Sequence, residues 1–223
     1  MKTSRSLLHW LGSAALTLSM TGCQSMLDDA YYGTWERFGV EKRDILRDRV
    51  EDGRQDQRTA QEQFKTTYER FKEVSGYDGG DLERAYTSFR REFERSESRA
   101  QDVRDRIASI EKVADDLFSE WSGEIQQISS ASLRRDSQSK LTRTQKSYDQ
   151  LIETMKRAER KMEPVLTVFR DRVLYLKHNL NAQAISSLGS SAREIESDVA
   201  SLLRDMDASI READAFLATI PES

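Results

Sequence analysis

L-E-R-A-Y-T-S-F-R-R-E-F-E-R-S-E-S-R-A-Q-D-V-R-D-R-I-A-S-I-E-K-V-A-D-D-L-F-S-E-W, Leu82 to Trp121, decides the fold. Leu82, Tyr86, Phe89, Phe93, Ser96, Ala100, Val103, Ile107, Ile110, Ala114, Leu117 and Trp121 recur alternately four and three residues apart, eleven of the twelve apolar and none charged. The chain-wide hydrophobic fraction of 37% would place about four apolar residues there. A 4-3 rhythm puts one narrow greasy stripe along an α-helix, and such a stripe is buried only against other helices.

Working outward, the rhythm returns twice downstream. Leu141, Thr144, Tyr148, Leu151, Met155, Ala158, Met162, Val165 and Phe169 form one run, and Ile185, Leu188, Ala192, Ile195, Val199, Leu202 and Met206 another. Upstream it is weaker: Leu46, Val50, Gly53, Gln57, Ala60, Phe64, Tyr68 and Phe71 include small and polar residues in mid-stripe. Such residues allow close approach or fix register at a cost in stability. They fit either a hinge or partner groove at mid-height or a loosely packed edge.

Turn chemistry separates the segments. Ser75-Gly76-Tyr77-Asp78-Gly79-Gly80-Asp81 offers glycines for positive φ and Asp81 as an N-cap. The polar, serine-rich run from Ser129 to Ser139 is the second turn. Two sites compete for the third: Asn179 or Asn181 near 180, or Gly189 with the Ser191-Ala192-Arg193-Glu194 capping box. Turns near 78, 133 and 180 give helices of about 45 residues, roughly 70 Å each, and so favour the first site. Pro164 falls inside the third helix, where it bends the helix or marks a restart. The fold class is all-α: an elongated antiparallel up-down-up-down helical bundle with coiled-coil-like packing.

Composition agrees, with 33% charged residues, two prolines and ten glycines in 223 positions. The net charge is -4, and without Lys2 and Arg5 it is 33 basic against 39 acidic residues, or -6. No basic excess exists to displace counterions from phosphates, so nucleic acid is not expected as a partner.

Residues 1–22 have the parts of a secretory signal: Lys2 and Arg5, an apolar stretch from Leu7 to Leu18, then small residues before Cys23. The stretch is too short to span a bilayer, which takes roughly 20 apolar residues. Thr21-Gly22-Cys23 resembles the lipobox of bacterial lipoproteins, with Met20 in place of the usual leucine; an ordinary cleaved signal is the alternative. The resemblance implies that Cys23, the only cysteine, carries diacylglycerol and an acylated amine as a membrane anchor. Gln24 and Ser25 follow where an aspartate would favour the inner membrane, so the expected location is the periplasmic face of the outer membrane. The expected organisation is a signal peptide at 1–22, a lipidated N-terminus and spacer at 23–34, and a single helical-bundle domain at 35–220.

In this topology the first and third turns share the end distant from the lipid. Tyr77, Asp78, Asp81, Lys177, His178, Asn179 and Asn181 become a candidate distal recognition tip, although turn-forming and capping alone also select such residues. At the other end Tyr31, Tyr32, Trp35 and Phe38, with Phe118 and Trp121, either close the base as core or lie at a bilayer interface.

Stretches such as W-E-R-F-G-V-E-K-R-D-I-L-R-D-R-V-E-D (Trp35 to Asp52), Y-D-G-G-D-L-E (Tyr77 to Glu83), M-K-R-A-E-R-K-M-E-P-V-L (Met155 to Leu166) and V-L-Y-L-K-H-N-L-N-A-Q-A-I-S-S-L (Val173 to Leu188) resemble the bacterial family termed domain of unknown function 2959. That resemblance implies a predicted lipoprotein and assigns no activity to any residue.

Catalytic signals are sparse. Beyond the leader the chain has one histidine, His178, and it carries no G-x-S-x-G, phosphate-binding glycine loop or H-E-x-x-H. Asp78 with Asp81 lacks the alternating ligands of a calcium loop, and His178 stands about four helical turns from Met162. No enzyme, metal or cofactor is expected. The expected function is a non-catalytic scaffold or adaptor holding a periplasmic protein or the cell wall. The alternatives are a protein that binds lipid or another apolar ligand in the weak seam, and self-association. The Arg43-Asp44, Arg47-Asp48, Arg49 and Glu51-Asp52 run is either a docking stripe or a solvated face with intrahelical pairs.

Overall fold

Four helices joined by short turns account for the described residues, 42–220 of the computed structural model: α1 (Lys42–Ser75), α2 (Leu82–Gln127), α3 (Ala131–His178) and α4 (Ala182–Thr219). Each packs antiparallel against its neighbour in the chain, and α1 packs on α4 to close the ring. This is the up-down-up-down helical bundle that the stripes demand. The expected signal peptide, Cys23 and the aromatic group Tyr31, Tyr32, Trp35 and Phe38 lie outside the described residues.

The first and third turns form where the sequence places them, whereas the second is confined to 128–130: residues 131–139 of the expected serine-rich turn are helical, because Ser130 already caps α3 and the polar run after it faces solvent. Gly79 and Gly80 have φ of 151° and 118°, values that favour glycine, and the Asp81 carboxylate caps α2 by accepting from the Arg84 N–H at 2.9 Å. Ser130 caps α3. The third turn is the one near 180: Asn181 accepts from the Ala184 N–H at 3.0 Å, while Gly189 lies inside α4 with open space where a side chain would stand. α3 runs without interruption through Pro164 for 48 residues, about 70 Å, so the proline does not restart the helix.

Of the twelve stripe positions in α2, the ten from Tyr86 to Leu117 are buried; Leu82 and Trp121, at its ends, are half-buried. In α1 the stripe departs from the expected one at a single place. Its buried positions are Leu46, Val50, Gly53, Gln57, Ala60, Phe64, Thr67, Phe71 and Val74, an unbroken 4-3 series, whereas Tyr68 is half-buried. Thr67 replaces the aromatic because its hydroxyl is satisfied in place, 2.8 Å from the Ser96 hydroxyl and 2.9 Å from the Glu92 carbonyl.

Gly53 is not a loosely packed point. A Cβ there would meet Ile110 Cδ1 at 2.8 Å and Met155 Cε at 3.0 Å, so the missing side chain is what lets three helices converge. Gln57 is 1% exposed, yet neither of its amide atoms meets a hydrogen-bond partner; the same holds for the hydroxyl of Ser209, also 1% exposed. Larger rings fill the core on either side of this level. Phe71, Phe89 and Phe169 pack with centroids 5.7–6.4 Å apart. Tyr148 stands edge-on to Phe118 and Phe216 at 5.4 and 6.2 Å.

Polar side chains on the flanks set the register. Arg106 pairs with Asp52 and Asp56 at 2.8 and 2.9 Å. Arg104 pairs with Glu159 and Glu163 at 3.0 and 2.9 Å, and Arg170 with Glu97 at 2.8 Å. Lys161 meets Asp205 at 2.5 Å, and Gln61 donates to Asp207 at 2.7 Å. Each exposed pair is worth little alone, but together they match only one alignment of the four helices. Glu92 belongs to this set: burial works against its charge, yet hydrogen bonds from Gln63 and Arg95 outweigh it and hold the carboxyl below its ordinary range.

Candidate interaction surfaces

The topology places the turns 76–81 and 179–181 at one end of the bundle, and Lys42, the 128–130 turn and Ile220 at the other. At the first end the candidate tip residues divide by what holds them. Asp81 and Asn181 are committed to capping, and Asn179 donates its amide to the Tyr175 carbonyl at 2.9 Å. Asp78, Lys177 and His178 are exposed and Tyr77 is half-buried. Leu174 and Tyr175, 55% and 39% exposed, and Leu180, 36%, stand close to Lys177 and His178 in the chain and add apolar surface to this end. The periodicity did not single them out, because Leu174, Tyr175 and Leu180 lie off the α3 stripe.

The run after Lys42 is used within the bundle more than as a stripe for docking. Arg47 donates to the carbonyls of Ile220 and Leu217 at 2.7 and 3.2 Å, tying down the last turn of α4. Asp52 reaches Arg106 of α2, and Glu51 pairs with Arg54, which also bonds Asp214 of α4.

The second end is built from all four helices. Lys42, the first described residue of α1, pairs with Glu120 at 3.2 Å, and the end of α4 lies beside Arg143 and Thr144. α2 runs on past Glu120 to Gln127, and α3 starts at Ala131. A cleft of about 720 Å³ lies at this end, lined by Arg43, Leu117, Trp121, Lys140, Thr144 and Ile220 among others. Trp121 is fixed there by donating its indole N–H to the Ser137 hydroxyl at 2.9 Å. The sequence pattern puts Trp121 and Phe118 at this height, but the cleft is assembled from side chains of all four helices, which periodicity along one helix does not specify.

Chemical constellations are few. His178 is exposed and Met162 fully buried, both on α3, and among the described residues no three His, Cys, Asp or Glu side chains gather as metal ligands. No described helix is long and apolar enough to cross a membrane. Lipidation of Cys23 falls outside the described residues.

No curated protein and no solved structure matches this chain. The model of a family described as a protein of unknown function, DUF2959, matches residues 31–220, which take in all four helices. The chain belongs to the DUF2959 family.

Proposed function

We propose that this protein is a non-catalytic lipoprotein, anchored through Cys23 to the periplasmic face of the outer membrane, whose helical bundle acts as a scaffold or adaptor for an envelope protein or the cell wall. The observation that carries the reading is the distance between the bundle's ends. The chain enters α1 at one end, while the exposed side chains of Asp78, Lys177 and His178 lie at the other, separated by the uninterrupted length of α3. A bundle of that length keeps the tip residues far from the end at which the chain enters α1.

Photo-crosslinkers placed at Asp78 and Lys177 in intact cells test it. A discrete crosslinked envelope protein or cell-wall fragment is the expected product, and mature protein lacking acyl mass would remove the anchor. A second reading, binding of a lipid or other apolar ligand, draws support from the cleft beside Leu117, Trp121 and Ile220 rather than from the α1 seam, where Gly53 is closely packed. Native mass spectrometry showing co-purified lipid, with no crosslink from the tip, would favour it.

A further inference from the structure

The apex of the α2–α3 hairpin departs from the rest of the chain in charge. Between Ile128 and Lys146 there are five basic residues, Arg134, Arg135, Lys140, Arg143 and Lys146, against one acid, Asp136, in a chain whose net charge is -4. Asp136 is taken up by Lys140 at 2.9 Å. Arg134 spends its Nε on the Ile128 carbonyl at 3.1 Å, which folds its stem over the apex, and neither Arg134 nor Arg135 pairs with a described carboxylate. Beside them Leu133 is 62% exposed, the most exposed of the large hydrophobic side chains described. From Ala131 to Lys140 every residue except Ser137 is exposed, so this part of α3 lies largely free of the bundle.

We infer that the hairpin apex is a contact site for an anionic phospholipid surface, with Arg134 and Arg135 meeting headgroup phosphates and Leu133 entering the interfacial layer. Charge complementarity selects the partner: guanidinium groups with no carboxylate partner among the described residues match a sheet of phosphates. A solvated leucine between serines and arginines is costly in water and gains from shallow insertion. The apex presents exposed side chains rather than a groove, so it suits a flat partner. Lys42, where the chain enters α1, lies at this same end of the bundle. The contact stands on the apex alone and does not require acylation of Cys23.

Sedimentation with lipid vesicles tests it, using the full chain carrying Cys23→Ser so that any contribution from the leader is common to all variants. The protein should partition onto mixed phosphatidylcholine–phosphatidylglycerol vesicles more than onto pure phosphatidylcholine, and less as salt rises. Each cation near an anionic surface contributes roughly fivefold to partitioning, so Arg134→Glu with Arg135→Glu should lower it by at least about 25-fold. Leu133→Asp should lower it by less, and Lys177→Glu, at the opposite end, should leave it within about twofold. Both arginines are exposed, so unchanged circular dichroism of the double variant excludes unfolding as the cause. Equal partitioning onto the two lipids, or a double variant that still binds, would overturn the inference. A lack of acyl mass on the mature protein would leave it intact and remove only the anchor.

Discussion

Two levels of the same core solve the packing problem in opposite ways. Near the 76–81 turn the space between helices is filled by rings, with Phe71, Phe89 and Phe169 in mutual contact. At mid-height α1 contributes Gly53, Gln57 and Ala60, and α4 contributes Ser209. There the helices approach because side chains are missing, and two buried polar groups are left unpartnered. Stability is concentrated where the rings are, whereas the middle trades it for closeness and register.

The largest effect should come from the ring level. Phe169 is fully buried between two other rings, so Phe169→Ala should lower unfolding free energy by about 3–5 kcal/mol in urea titration. A loss below about 2 kcal/mol would mean that the rings are not the stronger level. Next is Gly53→Val, which drives branched methyls into Ile110 and Met155 and should cost about 2–3 kcal/mol. Gly53→Ala should stay within about 1 kcal/mol of the parent, because the atoms in its way are the ends of flexible side chains and alanine favours the helix.

Gln57→Met should act with the opposite sign. It keeps volume while removing an amide that has no partner, and a gain of about 1–2 kcal/mol in the same titration is expected. A loss would show that the amide is satisfied after all and that the contrast between the levels is one of size alone.

The smallest effect concerns pH. Burial, helped by Glu111 and Asp115, pushes the Tyr148 phenol above its ordinary range. The unfolded phenol ionises near pH 10 while the folded one stays protonated, so Tyr148 leaves stability unchanged below about pH 10 and lowers it as pH rises above. Tyr148→Phe should flatten that alkaline decline in thermal melts, and an unchanged slope would assign the decline to other groups.

Nearly all of the architecture was legible because a seam between helices needs an apolar residue every three or four positions, and α2 supplies one almost without exception. The turns were legible through Gly79, Gly80, Asp81 and Asn181, whose chemistry is local. Thr67 was missed for a physical reason: its burial depends on Ser96 and the Glu92 carbonyl, partners on another helix that the local pattern cannot show. Gly53 was ambiguous for a similar reason, since only the positions of Ile110 and Met155 distinguish a tight approach from a gap. The hairpin apex was visible as a serine-rich lapse in rhythm. Its exposure depends on tertiary packing that local rhythm does not show, and its charge stands out only when a window of residues is weighed against the whole chain.

Because α1 begins and α4 ends at the same end of the bundle, the direction of a mechanical load decides how this core resists it. Pulling Lys42 away from Ile220 would peel α1 from α4 one layer at a time, beginning at the clasp between Arg47 and the Leu217 and Ile220 carbonyls. Tension between Lys42 and the 179–181 turn instead runs lengthwise and shears every layer at once. The bundle is thus built as a strut that is strong along its axis and opens like a zipper from the end where α1 begins.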